Sequence, residues 1–118
     1  LEKYKKLKLD FIQNKLIKFN KKKIILFCVG RNGSLTSRIL QNLGLNISMF
    51  VDNNSHISSQ KIENIKIYSP KYLINKFSKL TNHLIIICDN RIKIVKSIKK
   101  QLKAIGFDDK NILSFGMF

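Results

Sequence analysis

The sequence predicts an α/β fold in which a single parallel sheet lies between two layers of helices. Three observations support this prediction: apolar, strand-like segments alternate with helical segments, glycine or proline marks most of the junctions, and residues 84–88 are apolar throughout. A short continuous apolar run is typical of a parallel strand that is buried on both faces. A chain of 118 residues has the length of one such domain with one core.

The elements follow one another in a regular order. An amphipathic helix over residues 3–19 and a run of three lysines form a predicted N-terminal segment, residues 1–23, before the domain proper, residues 24–118. Residues 53–64 are polar and predict a loop. Strands are predicted at residues 24–29, 47–51, 66–68, 84–88 and 112–115, and helices at residues 34–43, 70–80 and 91–105.

Capping residues support the helix boundaries, and the alternation of elements predicts the topology. Ser69 is a natural N-cap before Pro70 at the first helical position, and Gly44 and Gly106 follow helix ends as C-caps. Five parallel strands alternating with helices predict a Rossmann-like sheet in the strand order 3-2-1-4-5. In such a sheet, ligands bind above the carboxyl ends of the first and fourth strands, where the strand order reverses.

The charge of the chain indicates attraction to anionic ligands. The net charge is +16, yet 20 of the 23 basic residues are lysine, and isoleucine, lysine and asparagine make up 51 of the 118 residues. This bias is typical of an AT-rich genome. A nucleic-acid surface usually adds arginine clusters or exposed aromatic residues, whereas this chain has three arginines and no tryptophan. We therefore predict no nucleic-acid partner.

Other features predict a cytoplasmic protein without a metal site. No apolar run approaches the roughly 18 residues that a membrane span needs, and no signal peptide is visible. Cys28 and Cys88 lie in predicted interior strands, which indicates buried free thiols in a reducing compartment. No spacing of cysteine and histidine suggests zinc. Since the chain begins with Leu1, we expect it to be a piece of a longer protein.

A glycine turn between the first strand and the following helix is the main candidate for function. An apolar strand ends at Gly30, Gly33 follows, and the second strand ends in Asp52, 22 residues after Gly30. This layout is typical of a phosphate-binding turn and a ribose-binding carboxylate in a nucleotide-binding βαβ unit. The predicted binding residues are Gly30, Arg31, Asn32, Gly33, Ser34, Asp52 and Asn53.

Each of these residue types suits its position. Gly30 lets a pyrophosphate approach the main chain, and Gly33 lets the helix lie close to the strand. Ser34 and the first amides of the helix present N–H groups at the positive end of the helix dipole. Asp52 can accept hydrogen bonds from ribose hydroxyls. The first glycine of the full G-x-G-x-x-G fingerprint falls on Cys28.

Several segments resemble one family of domains. They are Ile-Leu-Phe-Cys-Val-Gly-Arg-Asn-Gly (25–33), Phe-Val-Asp-Asn-Asn (50–54), Ser-Pro-Lys-Tyr-Leu (69–73), Leu-Ile-Ile-Ile-Cys (84–88) and Lys-Ala-Ile-Gly-Phe (103–107). Their order resembles the small Rossmann-like domains of bacterial glycan biosynthesis, found at the N-terminus of sugar acyltransferases and appended to sugar methyltransferases. The resemblance covers residues 24–115.

This resemblance implies a ligand and a context. The ligand would be a nucleotide or nucleotide sugar, bound by the glycine turn and Asp52, and Cys28 in place of the first glycine counts against NAD(P). The chain would be a module of a larger glycan-modifying enzyme, with a fused or associated catalytic domain. The N-terminal helix would pack on the sheet edge or join the module to that domain or to a second copy, as in a homo-oligomer.

Two alternatives remain open. Cys28 directly after a strand, followed by Gly30 and Ser34, resembles the phosphocysteine loop of the B components of sugar phosphotransferase systems, where helix amides stabilise a nucleophilic thiolate. The loop of low-molecular-weight tyrosine phosphatases needs arginine six residues after the cysteine, where Ser34 stands. The other alternative is a ligand-free structural or docking domain.

The remaining polar residues predict no catalysis by this domain alone. Asp89, Asn90 and Arg91 follow the fourth strand and can line the same cleft, although an Asp-Asn pair there more often caps the next helix. His56 beside the Asp52 loop is more typical of a solvated loop. No pair of carboxylates and no Ser/His/Asp set converges on one site. If the chain is part of an enzyme, we expect a transferase that acts on sugars.

Overall fold

A computed structural model of the chain describes residues 10, 14 and 23–114. The predicted N-terminal helix lies outside these residues except for Asp10 and Asn14, which are helical and exposed. The strands are β1 (Lys23–Phe27), β2 (Ile47–Val51), β3 (Lys61–Ile62), β4 (Ile65–Tyr68), β5 (His83–Ile87) and β6 (Ile112–Ser114). The α-helices are α1 (Gly30–Asn42), α2 (Pro70–Asn75), α3 (Phe77–Leu80) and α4 (Ile92–Ile105).

These strands form a six-stranded sheet in the order β3-β4-β2-β1-β5-β6. All neighbours are parallel except β3 and β4, which pair in antiparallel fashion. The five parallel strands have the neighbours that the order 3-2-1-4-5 describes, and β3 is an added edge strand. The chain reverses between β3 and β4 at Glu63 and Asn64, which have φ of 50° and 69°, the left-handed values of a tight hairpin turn.

Helices cover both faces of the sheet. Alternate residues of β1 point to opposite sides: Ile24 and Leu26 join Leu40 of α1 in one core cluster, while Ile25 and Phe27 join the helices on the other side. That second cluster includes Leu73 of α2, Leu80 of α3, and Val95, Ile98 and Leu102 of α4. The predicted three-layer α/β fold is confirmed, with α1 and α4 on opposite faces.

Several predicted boundaries were wrong. β1 ends at Phe27 rather than residue 29, and α1 begins at Gly30 rather than residue 34, because the chain turns at once through a left-handed Cys28. The predicted helix over residues 70–80 is interrupted at Lys76, whose φ of −113° is not helical. The predicted loop over residues 53–64 contains a 3₁₀ turn (Ser55–Ile57) and β3.

None of the helices within the described part of the chain has the length and apolar character needed to cross a membrane.

Candidate functional site

A cleft opens at the carboxyl ends of β1 and β5, two neighbouring interior strands of the sheet. Its volume of about 550 Å³ lies within the range of small-molecule sites. α1 begins beside one wall and α4 beside the other, so the cleft lies where the sheet order reverses. The lining residues of the β1 wall are Cys28, Gly30, Arg31, Asn32, Asp52 and Asn53, and those of the β5 wall are Cys88, Asp89, Asn90, Arg91, Ile94 and Ile98.

The turn between β1 and α1 has the backbone of a glycine-rich turn even where the glycine is replaced. Cys28, at the position of the first fingerprint glycine, has φ of 79°, a left-handed conformation that disfavours side chains by about 1–2 kcal/mol. The Cys28 amide donates to the carbonyl of Val51 at 2.8 Å. The substitution thus keeps the tight turn and adds a thiol to the cleft.

Both remaining glycines meet a physical requirement of the turn. A Cβ atom built on Gly33 would lie far inside van der Waals contact with the carbonyl oxygen of Cys28, so only glycine lets α1 pack this closely. Gly30 has φ of 30°, and a Cβ built there would have no neighbour within 4 Å among the described residues. Within the same part of the chain the main chain at Gly30 is therefore open to a ligand, and no side chain caps the N-terminus of α1.

Asp52 holds this turn together. Its Oδ2 accepts a hydrogen bond from the Val29 amide at 2.8 Å, and its Oδ1 accepts one from the Asn54 amide at 2.8 Å. The carboxylate therefore links the glycine turn to the loop after β2. A carboxylate has about four acceptor positions, so these two contacts leave further acceptor capacity on Asp52, which lines the cleft.

The structure brings together five of the seven predicted binding residues: Gly30, Arg31, Asn32, Asp52 and Asn53 line the cleft. Gly33 lies buried beneath the turn, and the Ser34 hydroxyl donates to the Gly30 carbonyl at 3.0 Å; neither residue lines the cleft. The side-chain amides of Asn53 and Gln101 exchange two hydrogen bonds, at 3.2 and 2.9 Å. That exchange ties the β2 end to α4.

The β5 wall carries an ion pair. Asp89 Oδ1 accepts from the Arg91 amide at 2.8 Å and from Arg91 Nε at 3.1 Å, and Oδ2 accepts from Arg91 Nη2 at 2.7 Å. These bonds hold the pKa of Asp89 below its ordinary value. The predicted capping role is not seen, because the N-cap of α4 is Arg91 and no side chain among the described residues caps that helix. Asp89, Asn90 and Arg91 line the cleft instead.

Two isoleucines of α4, Ile94 and Ile98, complete the β5 wall. Their spacing in the sequence is that of core positions on a helix and therefore did not predict a place in the site. Ile98 is fully part of the core, whereas Ile94 is only partly buried. Only the position of α4 relative to the sheet shows that they also face the cleft.

Both thiols of the cleft have raised pKa values. Burial first, and then the carboxylates of Asp52 and Asp89, raise the pKa of Cys28 to about 12. Burial likewise raises the pKa of Cys88 to about 12. A phosphocysteine needs a stabilised thiolate and hence a lowered pKa, so the structure gives that alternative no support.

The comparisons with known proteins agree with this fold. A family model described as C2185-like, N-terminal, matches residues 20–113. A search of curated proteins found no match. Among solved structures, the chain is similar to UDP-D-quinovosamine 4-dehydrogenase from Vibrio fischeri, with 21% identity and a TM-score of 0.66 over 80% of this chain and 77% of that one.

The chain is also similar to RSP, a Rex-family repressor, with 13% identity and a TM-score of 0.61 over 91% of this chain and 58% of that one. It thus spans less than two thirds of the repressor. RSP has been solved with β-NAD⁺ and operator DNA, and with β-NADH. At these identities the similarity shows a shared Rossmann-like fold.

Proposed function

This chain belongs to the family of C2185-like N-terminal domains, and we propose that it binds a nucleotide, in particular a nucleotide sugar. We propose further that it acts as one module of a larger bacterial glycan-modifying enzyme, with a fused or associated catalytic domain, in the cytoplasm. The two free thiols suit that reducing compartment. No residue of the domain is assigned a catalytic role.

One observation carries the binding proposal: the β1–α1 turn meets all three backbone requirements of a phosphate-binding turn. Cys28 supplies the tight left-handed turn, Gly30 leaves the main chain open, and Gly33 allows close packing of the helix. A fold that needed only a tight connection would not require an open main chain beside a cleft. The uncapped start of α1 supports an anionic ligand there.

The rest of the cleft suits the other parts of a nucleotide sugar. Three asparagines, Asn32, Asn53 and Asn90, offer donors and acceptors to hydroxyl groups, and Asp52 offers a further acceptor. Ile94, which is only partly buried, gives the cleft lining an apolar surface on which a base or sugar ring can pack. The similarity to a dehydrogenase of a UDP-sugar supports this ligand class, and the similarity to a repressor solved with NAD makes NAD(H) the main competitor.

A thermal-shift panel tests the proposal. Nucleotide sugars, UDP, ATP, NAD(H), NADP(H) and S-adenosylmethionine would be compared at millimolar concentration, because a ligand that binds only the folded state raises its melting temperature. We expect a shift with UDP-sugars. A shift with NAD(H) alone would mean that the ligand is NAD(H) rather than a nucleotide sugar. No shift with any ligand would favour a structural or docking domain.

Two arginines of α1 provide a matched pair of variants for this panel. Arg31 lines the cleft, whereas Arg38 lies two turns further along, exposed and paired with Glu63. Arg31→Ala should lose most of the ligand-induced shift, and Arg38→Ala should keep it. Equal loss in both variants would show that the shift reflects general attraction between a basic protein and an anion.

A further inference from the structure

The distribution of arginine and lysine singles out the cleft. Within residues 23–114 the chain has twelve lysines and three arginines. The cleft lining in that part of the chain contains two of those arginines, Arg31 and Arg91, and no lysine. The third, Arg38, pairs with Glu63. Although lysine supplies most cations of the described chain, both cations of the cleft lining are arginines.

The fork geometry of a guanidinium matters here because the lining has no excess of charge. Arg31 and Arg91 balance Asp52 and Asp89, so the formal charge of the lining is zero. An anionic ligand must therefore be recognised by placed donors rather than by general attraction. A guanidinium binds phosphate through two parallel N–H groups, which an ammonium group cannot do.

Asp89 holds Arg91 in one orientation. The contacts from Nε and Nη2 to the two carboxylate oxygens, at 3.1 and 2.7 Å, use one edge of the guanidinium. Three of its five N–H donors remain for a ligand. The Arg91 side chain is 70% exposed and that of Asp89 only 11%. A nearly buried carboxylate therefore positions an exposed guanidinium.

We propose that the cleft recognises the diphosphate of a nucleoside diphosphate between Arg31 on the β1 wall and Arg91 on the β5 wall, with Asp89 as the positioning residue of Arg91. This inference rests on the proposed function and narrows its ligand class. Each arginine binds one phosphoryl group, and a monophosphate can satisfy only one of them.

Isothermal titration calorimetry at physiological ionic strength tests this inference, with UDP, UMP and uridine as probes and ADP and AMP as a second pair. We expect at least one diphosphate to bind about tenfold more tightly than its monophosphate, as one additional charge-assisted contact implies. Equal affinity for the two members of both pairs would overturn the inference.

Charge-preserving variants sharpen the test. Arg31→Lys and Arg91→Lys should each weaken diphosphate binding about tenfold and reduce the preference for diphosphate, whereas Arg38→Lys should bind like the wild type. These side chains are exposed, and thermal melts would confirm that all three variants fold. Full affinity in the lysine variants would show that charge alone is recognised, which contradicts the inference but leaves nucleotide binding intact. Failure of every nucleotide to bind would instead reject the proposed function.

Discussion

The two walls of the cleft are built in different ways. The β1 wall depends on a contact between residues distant in the chain, because Asp52 accepts from the Val29 amide, 23 residues away. The close approach of Gly33 to the carbonyl of Cys28 adds a packing constraint within the turn itself. The polar residues of the β5 wall depend on local contacts, because Asp89 bonds to Arg91, two residues further on. The polar residues of the β1 wall are therefore bound into the fold, whereas those of the β5 wall are held by their neighbours in the chain.

The largest predicted effect is on the alkylation rates of the two thiols. Cys28 of the β1 wall and Cys88 of the β5 wall should both react slowly. With a pKa of about 12 in place of about 9, each thiol has about a thousandfold less thiolate at neutral pH. Alkylation of Cys28 and Cys88 by iodoacetamide should therefore be slower than in the urea-unfolded chain by about that factor. Single-cysteine variants, followed by mass spectrometry, measure each rate. Fast modification of Cys28 alone would indicate a reactive thiolate and would support the phosphocysteine alternative.

The next largest predicted effect is on the free energy of unfolding, for which two glycines of the β1–α1 turn are compared. Gly33→Ala would force a Cβ against the backbone carbonyl of Cys28 and should lower the free energy of unfolding by about 3 kcal/mol. Gly30→Ala meets no atom but keeps a left-handed φ, so it should lower that free energy by about 1 kcal/mol. Urea denaturation measures both. Similar losses would mean that the close packing of α1 is not needed.

A pair of acid variants compares the walls directly. Asp52→Ala leaves the amides of Val29 and Asn54 without their acceptor and should lower the free energy of unfolding by about 2 kcal/mol. Asp89→Ala removes only local contacts of an exposed arginine and should lower it by about 1 kcal/mol or less. The same denaturation experiment distinguishes them, and the reverse order would contradict the description of the two walls.

The smallest predicted effect is a gain in stability. Cys28→Gly relieves the left-handed strain of about 1–2 kcal/mol, against a loss of about 0.5–1 kcal/mol for the entropy of glycine. We therefore expect stability to rise by about 0.5 kcal/mol. Cys88→Gly is the control, since Cys88 is buried and is not among the described residues with positive φ, and this variant should be destabilised. A clear loss in Cys28→Gly would show that the thiol packs better than the strain implies.

The difference between the walls also explains what the sequence could predict. Gly30 and Gly33 were recognisable because their backbone positions require glycine, and Asp52 because it ends a strand at a fixed spacing. Arg91 could be suggested only as a residue near the same edge, since no backbone requirement marks it. Ile94 and Ile98 have the spacing of core residues, so only the tertiary structure assigns them to the cleft.

The edge strand β3 could not be predicted from sequence patterns, for a different reason. β3 has only two residues, too few to show alternation, and its hairpin turn uses Glu63 and Asn64 rather than a glycine pair. Arg38 of α1, which pairs with Glu63 at 2.6 Å, supports that turn from outside the segment. Local sequence does not encode such a contact.

An NMR titration tests the central claim most directly. Addition of a UDP-sugar to the ¹⁵N-labelled protein should shift the backbone amides of the turn, residues 28–33, together with those of residues 52–53 and 89–91. The resonances of amides on the lysine-rich outer side of α4 should not shift. Shifts confined to these two walls would support a nucleotide site at the switch point of the sheet. Shifts spread over the basic surface, or no shifts with any nucleotide, would contradict it.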